Sequence, residues 1–127
     1  MHAARYLRLA DIYLQPSDHE GLSMSLLEGL CSGLPCVASS VGGNIETLGG
    51  DPAMVADDGS AGPIRADAGI LVPNKAGIMA DEMARLVADA SLRRVLGQNA
   101  RASWARDYSS ATMAARYVNI YQALLRA

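Results

Sequence analysis

Glu20 and Glu28 stand with seven residues between them, on either side of a turn from an extended run into an apolar, helix-spaced segment. Carboxylates accept hydrogen bonds from hydroxyls, so a pair in this setting suits a polyhydroxylated ligand. Glu20 lies in the loop PSDHEG, where it is placed to meet the hydroxyls of a sugar. Gly21 removes a side chain where backbone would approach a bound group. The helix N-terminus that follows presents unpaired N–H groups and about half a positive charge, which suits an anion such as a pyrophosphate.

Glu28 shares a helical stripe with Ser25, Gly29 and Ser32, opposite the leucines. Gly in a helix interior costs about 1 kcal/mol relative to Ala, so Gly29 has a packing or a ligand reason. Two readings stay open for Glu28: a solvated glutamate, or a carboxylate holding two ribose hydroxyls as acidic residues do in dinucleotide sites. A second loop, SSVGGNIE, also follows a strand-like run. Gly42 and Gly43 there make either a tight turn or a loop against the same ligand, and Glu46 is expected to bond to backbone at the next turn. His19 neighbours Glu20, either as a solvated loop histidine or as an acid–base group.

Those residues need elements to hold them. Residues 3–10 read as the tail of a helix with Leu7 inward and Tyr6 a second candidate. DIYLQ, closed by Pro16, reads as a strand. Leu22 to Ser32 reads as a helix, stopped by Gly33-Leu34-Pro35. Cys36–Ser39 and Gly69–Val72 read as strands buried on both faces, without alternation. A brief helical turn is expected over Ile45–Leu48. The Gly-, Asp- and Ala-rich stretch from Gly49 to Ala68 reads as a mobile loop.

Three helices are expected to close the chain. Asn74 would cap the first, with Met79, Met83, Leu86, Val87 and Ala90 on one face. Ser91 would cap the second, carrying Leu92, Val95, Leu96 and Trp104, with Arg93, Arg94 and Arg101 on a solvated face. Ser109 or Ser110 would cap the third, with Met113, Tyr117, Tyr121, Leu124 and Leu125 inward. Strands alternating with helices give an α/β fold, a partial Rossmann-like parallel sheet of about three strands followed by C-terminal helices. Ligands of such sheets sit outside the carboxyl ends of the strands, here Pro16–Gly21, Ser39–Asn44 and Pro73 onward.

The bulk properties narrow the field. At 127 residues the chain is one domain with a real core. A net charge of −2 gives no basic face for nucleic acid. No apolar run approaches the roughly 18 residues of a membrane span, and MHAARYLRLAD has no stretch suited to a signal peptide. Cys31 and Cys36 lack metal-ligand spacing and read as reduced core thiols, which points to the cytosol.

The pair of glutamates inside the ordered string ADIYLQPSDHEG, LLEGLCSGLPCVAS, VGGNIE, GILVP and RRVLGQNAR resembles the E-x7-E retaining glycosyltransferases of family 4. The resemblance runs from about Tyr6 to Leu125 and implies a GT-B fold, of which residues 1–127 would be part of the C-terminal, nucleotide-sugar-binding domain. The acceptor domain would lie outside the chain, as would the basic residues that meet the leaving phosphate. It implies sugar transfer from a nucleotide-sugar donor to a glycan, lipid or small-molecule acceptor, with retention and with no cofactor and no metal bridge. Glu20 would act at the donor sugar as the catalytic carboxylate. Gly21, Leu22, Ser23 and Met24 would meet sugar and phosphates through their backbone, Glu28 would hold the ribose, and Gly42 and Gly43 would form a further donor loop. The resemblance implies the cytoplasm, including its membrane face, for the parent enzyme.

Ser23 departs from the glycine or proline common in that family, and Gly49–Ala68 is longer than the usual link. Two other readings remain: a nucleotide-sugar epimerase fragment of the same architecture, and a non-enzymatic half-domain whose open sheet edge pairs with a partner chain.

Overall fold

The computed structural model describes residues 4–54 and 62–126. Residue 3 of the expected helical tail and 55–61 of the expected loop lie outside the described residues. In chain order the elements are α1 (Ala4–Leu7), β1 (Tyr13–Gln15), α2 (Met24–Cys31), β2 (Cys36–Ser39) and α3 (Gly42–Leu48). A 3-10 turn (Pro52–Met54), β3 (Ile64–Ala66), β4 (Gly69–Val72), α4 (Ala76–Ala88) and α5 (Ala90–Ser103) come next. A π-helical turn (Trp104–Tyr108) and α6 (Ser110–Arg126) complete the order. The α/β class is as expected.

The sheet has four strands in the order β1-β2-β4-β3. β1, β2 and β4 are parallel, with Leu14 opposite Val37 and Val37 opposite Ile70. These are the three strands read from the sequence. β3 is the correction: it lies inside the stretch expected to be a loop and runs antiparallel to β4, with Arg65 opposite Ile70. It is an edge strand with a single large apolar residue, Ile64, so it leaves no periodic signal in the sequence.

Every residue of β2 and β4 is buried, and their side chains divide between the two faces of the sheet. Cys36, Ala38 and Leu71 join Leu26, Leu30 and Leu48 from the helices on one face. Val37, Ile70 and Val72 join Met79, Leu86 and Leu96 on the other. Strands covered on both sides read as continuous apolar runs, which is why β2 and β4 were legible without alternation.

α2 ends as its sequence dictates. Gly33 takes φ +71°, Leu34 N–H bonds to Gly29 O at 3.2 Å and Gly33 N–H to Leu30 O at 3.0 Å. This is the Schellman pairing that satisfies terminal carbonyls. Two arginines expected on a solvated face supply further caps. Arg93 donates to the carbonyls of Leu86 and Val87 at the end of α4. Arg101 donates to the Cys31 carbonyl at the end of α2 and lies 4.7 Å from the Trp104 ring centre. A cation at a helix C-terminus is favourable both as a donor and against the dipole. Arg101→Ala is expected to lower unfolding stability by about 1 kcal/mol, and Arg94→Ala, whose side chain is exposed, by less than about 0.5 kcal/mol. Urea titration of the two variants checks this.

The C-terminal helices need further corrections. Asn74 does not cap α4; its amide donates to Asp18 Oδ1 at 2.6 Å. Asp89, and not Ser91, caps α5, accepting from Leu92 N–H at 2.8 Å. Val87, Ala90 and Val95 are exposed, as is Tyr6 in α1. Ser109 does cap α6, accepting from Thr112 N–H. The residues expected inward on that helix, Met113, Tyr117, Tyr121, Leu124 and Leu125, are 55–87 % exposed. Helical spacing defines an apolar face but not what it meets, and among the described residues little covers this one.

Candidate functional site

The carboxyl ends of the parallel strands form one surface. Ser39, buried at the end of β2, donates its hydroxyl to Ser17 O at 2.5 Å and accepts from Ser17 N–H at 3.1 Å, pinning the loop that follows β1. Asn44 from α3 donates to Ser39 O. Ser40 N–H bonds to Val72 O at 2.8 Å, and Asn74 reaches Asp18. The three chain ends named from the sequence are therefore held side by side, where open α/β sheets bind ligands.

Glu20 is half-buried in this surface. Its Oε1 accepts from Gln15 Nε2 and from Ser17 Oγ, both at 2.7 Å. Among the described residues Oε2 takes no hydrogen bond, so one oxygen is fixed and the other is not. Beyond Glu20, Ser23 is the N-cap of α2, its hydroxyl accepting from Leu26 N–H at 3.3 Å. That explains the serine at this position: it satisfies an otherwise unpaired donor of the helix. Gly21 is exposed with nothing near the place of a Cβ. The side chains of Leu22 and Met24 line an apolar groove of about 340 Å³ toward Met113, Tyr117 and Ile120 of α6.

Glu28 is exposed on α2. Tyr13 links the two stretches: its hydroxyl donates to Gln15 Oε1, whose amide holds Glu20, and its ring lies at Gly29, the residue after Glu28. The Tyr13 phenol is raised above its ordinary range first by burial, with the charges of Glu20 and Glu28 adding to it and a Ser25 hydrogen bond opposing. Tyr13 also explains Gly29, since a Cβ there would lie 2.9 Å from the ring. What lies against the small-residue stripe at that point is this aromatic ring.

Gly42 and Gly43 are neither a plain turn nor an open loop. They carry the start of α3 against the backbone of the Glu20 loop, and Gly43 N–H bonds to Glu20 O at 3.0 Å. A Cβ on Gly43 would stand 2.0 Å from Gly21 O, and one on Gly42 1.9 Å from Glu20 O. Glu46 makes no backbone hydrogen bond with its side chain among the described residues. It lines a hollow of about 440 Å³ with Gly21, Leu22, Gly43, Thr47 and Tyr108, which corrects the cap expected of it. His19 is exposed. Among the described residues no three His, Cys, Asp or Glu side chains gather as metal ligands, and no helix is long and apolar enough to cross a membrane.

Both cysteines are free thiols. Cys36 is fully buried, its thiol pushed up to about 12 by burial. Cys31 is only half-buried, with Arg101 Nη1 3.1 Å from its sulfur. At neutral pH iodoacetamide is expected to label Cys31 in the folded chain and Cys36 only on unfolding, as read by mass spectrometry. Because the folded Cys36 thiol ionises later than the unfolded one, its contribution is intact below about pH 9. It is lost as pH rises toward 12.

The chain matches the family described as glycosyl transferases group 1 over residues 1–89. It is 28 % identical over 126 residues to the N-acetyl-alpha-D-glucosaminyl L-malate synthase of Bacillus anthracis, covering 98 % of this chain and 29 % of that protein. Its fold is similar to sucrose-phosphate synthase from Thermosynechococcus elongatus, with a TM-score of 0.76 and 26 % identity, over 95 % of this chain and 27 % of that one. The α/β architecture is that of the C-terminal domain of GT-B glycosyltransferases. The chain belongs to the glycosyl transferase group 1 family. It spans less than a third of the length of these two relatives.

Proposed function

We propose that the chain carries part of the donor site of a retaining, E-x7-E glycosyltransferase of family 4, which moves a sugar from a nucleotide-sugar donor to an acceptor glycan, lipid or small molecule. The observation that carries this reading is the placement of the two glutamates. Glu20 is held by one oxygen beside a capped helix N-terminus, and the Gln15 that holds it also accepts from Tyr13, whose ring packs at Gly29 next to Glu28. In this reading Glu20 meets the donor sugar, the backbone of Gly21–Met24 meets sugar and pyrophosphate, and Glu28 holds the ribose. No cofactor or metal bridge takes part. The helix N-terminus stabilises negative charge that grows on the departing phosphate, an effect that accelerates transfer because it strengthens in the transition state.

Transfer also requires an acceptor held against the donor, and such positioning is worth about 7–11 kcal/mol of barrier. The chain by itself is therefore expected to bind a nucleotide sugar weakly and to transfer nothing. The edge position of β1, where Leu14 is 40 % exposed, supports the further reading that this edge pairs with a strand from outside the described residues. Calorimetric titration with a panel of UDP-, ADP- and GDP-sugars tests the proposal. Binding of one nucleotide class, unchanged by a chelator, is the expected result. Failure to bind any of the panel contradicts it.

A further inference from the structure

Gln15 ends β1 with its side chain turned into the domain, 5 % exposed. The neighbouring strand positions of β2 and β4 are apolar or small, so a carboxamide here is a departure that burial penalises unless every polar atom is paired. It is paired throughout. Nε2 donates to Glu20 Oε1 at 2.7 Å and to Ser23 Oγ at 2.9 Å, and Oε1 accepts from the Tyr13 hydroxyl at 3.2 Å. The amide can take only this orientation, since the flipped one would set its carbonyl oxygen against a carboxylate.

The two ends of this arrangement matter differently. One is the carboxylate whose other oxygen is free; the other is the hydroxyl that caps α2. We propose that Gln15 is a positioning residue for Glu20: it fixes Oε1 so that Oε2 meets a hydroxyl of the donor sugar, at a set spacing from the helix N-terminus that meets the pyrophosphate. This rests on the nucleotide-sugar reading given above. Ser17, which bonds the same oxygen from the loop, is the lesser support, because its hydroxyl is on a half-buried turn.

Gln15→Met keeps the length of the side chain and removes the donor. Side-chain 13C relaxation of Glu20 reads whether its carboxylate is held, and calorimetry compares a nucleotide sugar with the nucleoside diphosphate of the same base. The expected result is a Glu20 side chain that is ordered in the wild-type chain and mobile in the variant. Affinity for the nucleotide sugar falls about ten-fold, while that for the diphosphate is unchanged. A merely structural role would weaken both ligands together. Gln15→Glu, which keeps the size and the Tyr13 bond but sets a carboxylate against Glu20, is expected to give the same pattern and serves if the Met variant does not fold. Glu20 as ordered in the variants as in the wild type overturns the proposal. Order lost with both ligands weakened alike marks Gln15 as a structural residue and likewise overturns the proposal, whereas order lost with neither ligand bound by the wild type overturns the nucleotide-sugar reading instead and leaves the positioning contact standing.

Discussion

Gly43→Ala is expected to lower the unfolding stability of the chain by about 3 kcal/mol and to abolish nucleotide-sugar binding. The added Cβ would stand 2.0 Å from Gly21 O and 2.7 Å from its carbon, both backbone atoms that no rotamer change can move. Overpacking of a well-packed site costs typically 1–3 kcal/mol, and here relief requires displacing the Glu20 loop from α3 and breaking the bond from Gly43 N–H to Glu20 O. Gly42→Ala is expected to be as damaging, since its Cβ would lie 1.9 Å from Glu20 O and its φ of +41° is one that L residues avoid. Gly77→Ala is the control. It sits exposed in α4 with nothing within 4 Å of the new Cβ, so it is expected to stabilise the chain by about 0.5–1 kcal/mol through helix propensity. Urea unfolding of the three variants separates a crowded backbone contact from a glycine of no consequence.

The second large effect concerns the glutamates, measured in an enzyme that supplies the rest of the cleft. Glu28→Ala is expected to raise KM for the donor ten- to a hundred-fold, a range on the scale of about 1.5–3 kcal/mol for a charge-assisted hydrogen bond, with kcat little changed. Ribose contacts are present in ground and transition states alike, and such uniform binding is read in KM. Glu20→Ala is expected to lower kcat on the same scale, because in the proposed role its second oxygen meets the reacting sugar and part of its contribution arises only as the glycosidic bond breaks. Steady-state kinetics on both variants, each shown to be folded, decides the assignment. An unchanged kcat for Glu20→Ala returns that residue to a structural role, and unchanged donor affinity for Glu28→Ala makes it a solvated glutamate.

Much of the framework around the candidate site is legible in the sequence, and the reason is that its signals are local. The stop after α2 is written in Gly33-Leu34-Pro35, whose chemistry permits little else, and the structure completes it with the two Schellman bonds. β2 and β4 are short apolar runs bounded by proline, which length alone separates from helices. What escaped depends on residues far apart in the chain. Arg101 reaches Cys31 across seventy positions, so an arginine on a helix face reads as solvated until the two helices are seen together. Gln15 escaped for another reason: its partners lie within eight positions, but it carries no motif and their meeting depends on how β1 and the start of α2 pack. Gly42 and Gly43 were read as backbone freedom, whereas their main physical consequence is the absence of a Cβ beside Glu20 and Gly21. α6 was misread for the opposite reason: its periodic apolar face is real, but periodicity is silent about what a face meets.

In the proposed function the turn from Glu20 into α2 and the exposed Glu28 form one site for a nucleotide sugar. Amide chemical-shift mapping of the 127-residue chain during titration with a nucleotide sugar that it binds tests this most directly. Perturbed amides are expected to concentrate at Ser17–Ser25, Glu28 and Gly43, with those of Glu20 and Gly21 moved more by the nucleotide sugar than by the matching nucleoside diphosphate. Shifts gathered instead around Asp67, Asn99 and Arg106, where a separate polar hollow lies on the α5 side, would contradict it.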